Sequence, residues 1–438
     1  MDAKSGYGFN NLRPKQRKKW FLQNNRNIKL NPMLTNEIKA QFNEILEEIG
    51  NNLDISETQY KFAVQSYQAV GKWLADEKSL LSPYKPEILP QGSFLLGTMI
   101  KPVNDSDELD VDLVCRLEGK KADWAQYHLK KIVGDRLKEN KTYKEMLDEE
   151  GRRCWTLNYA DSSKYHMDVL PSIVSEGHRV ILEKAFSAID FKDFEKTAIR
   201  ITDNQEDNYF NETNPDYWNK SNPFGYAAWF QERCSISIRK SVFLSESVNP
   251  LPTYQKEKLP LQRVVQILKR HRDIMFDGDE DKPISIIITT LSSKAYNKET
   301  DIITALTNVV ENMESFIETK FSVEHNKWIK WIGNPVNEEE NFADKWPENP
   351  QKEKNFYEWL NKVKTELSSS FELKELNKIQ ESFSPIFGKR ITDKTFSNIS
   401  NKGLLKSTST LLSANVAQHI DTELPKKLPK TKREGFQK

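Results

Sequence analysis

Apolar residues Ile38, Phe42, Ile45, Leu46 and Ile49 recur at three- and four-residue intervals, which places them on one face of a helix. Ser56 followed by Gln59 reads as a capping box for a second helix carrying Tyr60, Val64, Tyr67 and Leu74. Beyond the stretch containing Pro83, Pro86 and Pro90 the period drops to two. Leu109, Val111 and Leu113 alternate with Asp110 and Asp112, the pattern of a strand with two carboxylates on one face. Trp124–Lys138 is helix-like, and 154–160 and 165–170 flank the short turn Asp161-Ser162-Ser163-Lys164 as a hairpin would. The first half therefore predicts mixed α and β structure behind a helical spine.

From about Ile189 strand signals thin out. Leu261, Val264, Leu268 and Met275 mark a helix that Pro260 can start at its first turn. Residues 284–296 are ambiguous: their Ile and Thr residues favour strand, while their length and unbroken apolar face suit a buried helix. The resulting division is a basic lead-in over 1–33, with Arg13, Lys15, Arg17, Lys18 and Lys19; a mixed α/β lobe over 34–188; a mainly helical lobe over 189–424; and a basic tail over 425–438. No solenoid repeat is visible.

With 438 residues the chain can form a bilobal enzyme. Its 65 basic and 64 acidic residues nearly cancel, which argues against a general nucleic-acid binder. No apolar run reaches the roughly 18 residues of a membrane span, and the polar start from Met1 to Pro14 does not resemble a secretory signal, so a soluble, cytosolic protein is expected. Cys115, Cys154 and Cys234 are odd in number and widely spaced, which suits free thiols better than a disulfide framework or a four-ligand zinc site.

Two aspartates two apart on a strand project to one side, their Cα atoms about 6.5 to 7 Å apart. They repel unless a cation lies between them, and Mg2+ (or Mn2+) takes such oxygen ligands while keeping waters and substrate phosphates. An acidic pair on a solvent-facing strand is the bland alternative. Two neighbours favour chemistry. Upstream, Gly92 and Ser93 allow close backbone approach and can hold phosphate oxygens. Downstream, Asp168 alternates with Met167 and Val169 on a second strand and supplies a third carboxylate. In a two-metal site, one ion activates the attacking hydroxyl and the other holds the triphosphate.

The segments Gln91-Gly92-Ser93-Phe94-Leu95-Leu96-Gly97-Thr98, Leu109-Asp110-Val111-Asp112-Leu113-Val114 and His166-Met167-Asp168 resemble the DNA polymerase β-like nucleotidyltransferases. Within them, the likeness is to the bacterial relatives of cyclic GMP-AMP synthase and oligoadenylate synthase. The gap from Ser93 to Asp110 exceeds the minimal pattern by the polar Asn104-Asp105-Ser106-Asp107 stretch. The helix holding Lys269 looks like the one that sends a lysine to the triphosphate, and Ser285 matches a serine used on the same phosphates. Asn334-Pro335-Val336, Asn341 and Trp346 resemble a segment at the active-site rim. The resemblance implies an α+β fold, a polymerase β-like lobe with a mixed sheet packed on a mainly helical C-terminal lobe, and helix for 284–296. It implies Asp110, Asp112 and Asp168 as catalytic metal ligands and Gly92, Ser93, Lys269 and Ser285 at the triphosphate. It also implies a cyclic di- or trinucleotide second messenger made from nucleoside triphosphates such as ATP and GTP in antiphage signalling, a separate effector responding to it, and a tail able to engage an accessory protein.

Competing readings remain at this level. Lys269 in a Lys-Arg-His-Arg run also suits the wet face of an amphipathic helix. His166 and His271 read as hydrogen-bonded packing residues rather than ligands, and Trp218, Trp229, Trp328 and Trp331 as core or interface residues rather than base-stacking platforms. A transferase acting on an RNA end or a small-molecule acceptor would share every acidic residue named, and a non-catalytic binding module on the same fold is a third reading. No zinc ribbon or basic surface indicates activation by nucleic acid.

Overall fold

The computed structural model describes residues 35–104, 109–159, 165–174, 197–234 and 254–401. The lead-in 1–33, the tail 425–438, the turn 161–164 and most of the polar insertion at 104–107 lie outside the described residues. Two helices open the fold, α1 (Asn36–Leu53) and α2 (Glu57–Leu74). The expected capping box is formed: Ser56 accepts from the Gln59 amide and the Gln59 side chain accepts from the Ser56 amide.

Then come β1 (Glu87–Pro90), the short helix α3 (Gly92–Leu96), β2 (Leu109–Glu118), helices α4 (Gln126–Glu139) and α5 (Lys141–Met146), and β3 (Trp155–Tyr159) and β4 (Tyr165–Val174). Strands β5 (Ile199–Ile201) and β6 (Lys220–Ser221) complete a six-stranded sheet among the described residues, in the order β1-β2-β4-β5-β6. Strand β2 runs parallel to β4, while β3 and β5 share the far edge of β4 as antiparallel partners. The sheet is mixed, as expected, and it continues past residue 188.

The two faces of the sheet differ. Leu109, Val111, Leu113, Met167 and Val169 are buried with Tyr67, Leu129 and Val133 of α2 and α4. On the other face, Val114, Leu170 and Val174 join a second core with helix α6 (Pro223–Arg233), α7 (Pro260–Phe276), α8 (Ser285–Ala295) and α9 (Ile302–Asn312). Helices α10 (Pro350–Phe371), α11 (Leu376–Phe387) and α12 (Lys389–Asn401) close this core.

Helix α1 packs there too: Phe42 meets Phe371 edge-on at 5.0 Å, and Asn52 donates to Thr395 at 3.0 Å. Packing therefore divides the chain differently from the expected break at 188/189. The first helix sits with the helical half, and the sheet draws strands from beyond the break.

The ambiguous segment 284–296 is helix α8, buried on almost every side. Its hydroxyls turn back on their own helix, Thr289 donating to Ser285 O and Ser293 to Thr289 O, so burying them leaves few unpaired groups. The helical half also holds two small two-stranded sheets that the sequence pattern did not announce: β7 (Glu318–Ser322) with β8 (Lys327–Trp331), and β9 (Gly333–Asn334) with β10 (Asn337–Asn341). Strand β7 is largely exposed and so shows no buried alternation; its pairing rests on contacts such as Phe321 edge-on to Trp328. All three cysteines are free thiols, and no helix among the described residues is long and apolar enough to cross a membrane.

Candidate active site

Parallel pairing of β2 and β4 sets Asp110 opposite His166 and Asp112 opposite Asp168. Because side chains alternate along a strand, these four residues share one face. They occupy the end of that face just before Val114 and Leu170 carry it into the helical core. Strand β3 adds Thr156 opposite Asp168, and the Thr156 hydroxyl donates to Asp168 Oδ1 at 2.6 Å. His166 Nε2 lies 2.6 Å from Asp110 Oδ1.

The turn into α3 is built around Asp112. The Gln91 amide donates to Asp112 O at 3.0 Å, and Gly92 holds a left-handed φ of +65°. A Cβ at Gly92 would overlap Asp112 Oδ2, so only glycine fits on both counts. The open approach that Gly92 offers is taken, in this structure, by a neighbouring carboxylate.

Crowding of like charge shows in the electrostatics. Burial, with the charges of Asp110 and Asp168, pushes the Asp112 carboxyl up to about 7. For Asp110, burial acts in the same direction, but hydrogen bonding and charge from His166, then Lys269 and Lys282, outweigh it and hold its carboxyl below the usual range. Lys269 comes from α7 with only 7% of its surface exposed, and its Nζ donates to Thr98 O at 3.1 Å. Burial, followed by the charge of Arg272, brings its ammonium down to about 8 against the pull of Asp273, Asp110 and Asp112.

The wet-face reading of the Lys-Arg-His-Arg run does not hold. Lys269, Arg270, His271 and Arg272 are all buried, because α7 runs between the two halves and spends its polar groups on both. Gln262 donates to Leu96 O at 2.9 Å, Gln266 to Met99 O at 2.8 Å and Arg270 to Lys101 O at 2.8 Å. Together with Lys269, these side chains fasten the segment after α3 to the central helix.

The structure thus gathers Asp110, Asp112, Asp168 and Gly92 and puts Lys269 within the field of the first two. Ser93 is half-buried on α3, where its carbonyl accepts from the Thr98 amide at 3.0 Å. Ser285 is joined less directly: Arg272 donates to Ser285 Oγ at 2.9 Å and to Pro283 O at 3.0 Å. Sequence reasoning did not single out Thr156, Lys282 or Arg272, and it set His166 aside as packing. Thr156 had a usable signal, since a hairpin centred on the 160–164 turn pairs it with Asp168. The Asp110–His166 partnership depends on parallel strands far apart in sequence and had none.

As to a metal, the donor set is the oxygen-rich one that Mg2+ or Mn2+ accepts; the Asp112 carboxyl is raised first by burial and then by the charges of Asp110 and Asp168, and a cation would offset the latter. Among the described residues no three acidic, imidazole or thiol groups converge closely enough to form a ligand cluster by themselves. Magnesium does not require that, since it normally keeps waters and substrate phosphates among its ligands. The residues fit.

A model of the family described as Second Messenger Oligonucleotide or Dinucleotide Synthetase domain matches residues 37–183, which include all three aspartates. A c-di-GMP synthase of Roseivirga ehrenbergii is 30% identical over 293 residues, covering 66% of this chain and 70% of the relative. In fold, the chain is similar to the Bradyrhizobium diazoefficiens CD-NTase CdnG solved in complex with GTP, at 18% identity and a TM-score of 0.59 over 82% of this chain and 99% of that one. It is also similar to CdnC from an E. coli MS115-1 CdnC:HORMA complex, at 12% identity and a TM-score of 0.51 over 77% of this chain and 93% of that one. The mixed sheet with its acidic face, and a relative matched over most of its length, lead to one assignment: the chain belongs to the second messenger oligonucleotide or dinucleotide synthetases, bacterial nucleotidyltransferases related to cyclic GMP-AMP synthase.

Proposed function

We propose that this enzyme uses Asp110, Asp112 and Asp168 with Mg2+ or Mn2+ to join nucleoside triphosphates into a cyclic di- or trinucleotide, and that this product signals to a separate effector in antiphage defence. The observation that carries the reading is the β2–β4 register, which lines the three carboxylates on one face with Gly92 against the middle one. The name of the Roseivirga relative makes GTP the first substrate to test.

Divalent ions at these carboxylates would supply charge stabilisation to the phosphates and acidify the attacking hydroxyl. The chain's own contributions follow from position. Asp110 and Asp112, on one strand, hold the triphosphate side of the site. Asp168, on the next strand, stands where an attacking hydroxyl loses its proton as its oxygen bonds to the α-phosphorus and pyrophosphate leaves. Lys269, buried and charged near neutral pH, supplies a fixed positive charge to the phosphates, with Ser93 and Ser285 as hydroxyl donors. A second round of the same attack, within one linear product, closes the ring.

The test is product analysis. The four nucleoside triphosphates with magnesium and no acceptor should give a small phosphatase-resistant product whose mass is that of a cyclic oligonucleotide. Turnover only after adding RNA or a small-molecule acceptor would overturn the cyclic product in favour of end addition.

A further inference from the structure

Two of the three carboxylates have one oxygen held by a neighbouring side chain, and the third is confined by Gly92. His166 takes Oδ1 of Asp110 at 2.6 Å, Thr156 takes Oδ1 of Asp168 at 2.6 Å, and Oδ2 of Asp112 fills the space that a Cβ on Gly92 would need. His166 and Thr156 are the register partners of the aspartates they hold, so the contacts are made between adjacent strands of a sheet rather than by mobile loops. A carboxylate with one oxygen hydrogen-bonded keeps a fixed plane and presents its other oxygen in a fixed direction. We infer that Thr156 and His166 are positioning residues that orient Asp168 and Asp110, leaving one oxygen of each for a divalent cation.

The two contacts divide the work. Thr156 acts on the carboxylate assigned to the attacking hydroxyl, so its loss should fall on kcat. His166 acts on a carboxylate assigned to the triphosphate side, so its loss should weaken ion binding before nucleotide is added. Partners of this kind, which orient a metal-bound carboxylate, typically matter by about 10- to 100-fold in metal affinity or activity.

This inference rests on the three-aspartate reading, and Asp112→Asn separates the two. If that variant keeps wild-type turnover, the reading itself fails. With Asp112→Asn inactive, the full-length Thr156→Val, Thr156→Ser, His166→Leu and His166→Gln variants are compared by Mn2+ titration with electron paramagnetic resonance, by steady-state kinetics with GTP and by melting temperature. The expected result is a fall in kcat of about 10- to 100-fold for Thr156→Val at little-changed KM, and Mn2+ affinity weaker by a similar factor for His166→Leu. Thr156→Ser and His166→Gln, which each keep a donor, should recover most of the loss. Wild-type kcat and Mn2+ affinity in Thr156→Val and His166→Leu would overturn the inference. So would losses that the Ser and Gln variants share and that follow melting temperature, since those would show a purely structural role.

Discussion

Asp112 connects the stability of the free protein to the chemistry proposed for it. Its carboxyl sits near 7 in the folded chain, against about 4 for an ordinary aspartate. Between those values the folded state holds a proton that the unfolded state has released, so Asp112's contribution to stability is present below about pH 4 and lost as pH rises through 7. In EDTA, Asp112→Asn should therefore melt higher than wild type at pH 8, with the gap closing towards pH 4, while losing nearly all turnover. A gap of equal size at both pH values, read by scanning calorimetry, would contradict this origin. Lys269 works in the opposite sense. With its ammonium near 8, the KM for triphosphate should rise as pH passes 8, and Lys269→Ala should raise KM throughout and flatten that dependence. Wild-type affinity of Lys269→Ala for a non-hydrolysable triphosphate would remove it from the site.

At the level of elements, α1 and α7 cross at a dense polar joint. Arg263 reaches Glu47, Asn51 and Asp54 of the first helical segment at 2.7 to 3.1 Å, and Gly50 makes room for its stem. A Cβ at Gly50 would stand 2.6 Å from Arg263 Cδ, so Gly50→Ala should destabilise the fold by about 1–3 kcal/mol in urea unfolding. An unchanged midpoint would mean the guanidinium can shift without loss. The elements that sequence made legible were those with a periodic apolar stripe: α1, α2, the alternating strand β2, and α7, whose stripe shows although the helix is buried on nearly every side. The hairpin of β3 and β4 was legible as well, from its turn residues. Strand β1 lies in the proline-bearing stretch and β7 is largely exposed, so neither showed a buried period. The parallel register of β2 on β4 could not be read at all, because nothing local fixes which of two distant strands pair or with what offset. That register places His166 on Asp110.

For the whole molecule, the candidate site lies where the acidic face of the sheet meets the central helix α7, whose buried side chains fasten the segment after α3 to it. The strand bearing Asp110 and Asp112 was legible because it alternates; Gly92 was singled out for close approach to a ligand, and the structure shows a left-handed turn packed against Asp112 instead. The burial of Lys269 was not legible, since a Lys-Arg-His-Arg run also suits a wet face until both flanking surfaces are known. Near-neutral net charge is consistent with small substrates rather than a polyanion. The most direct measurement is mass spectrometry of the products formed from mixed nucleoside triphosphates by wild type and Asp112→Asn side by side, with magnesium and with EDTA. The account predicts a phosphatase-resistant cyclic oligonucleotide only from wild type with magnesium. The same product from Asp112→Asn, or from wild type in EDTA, would contradict it.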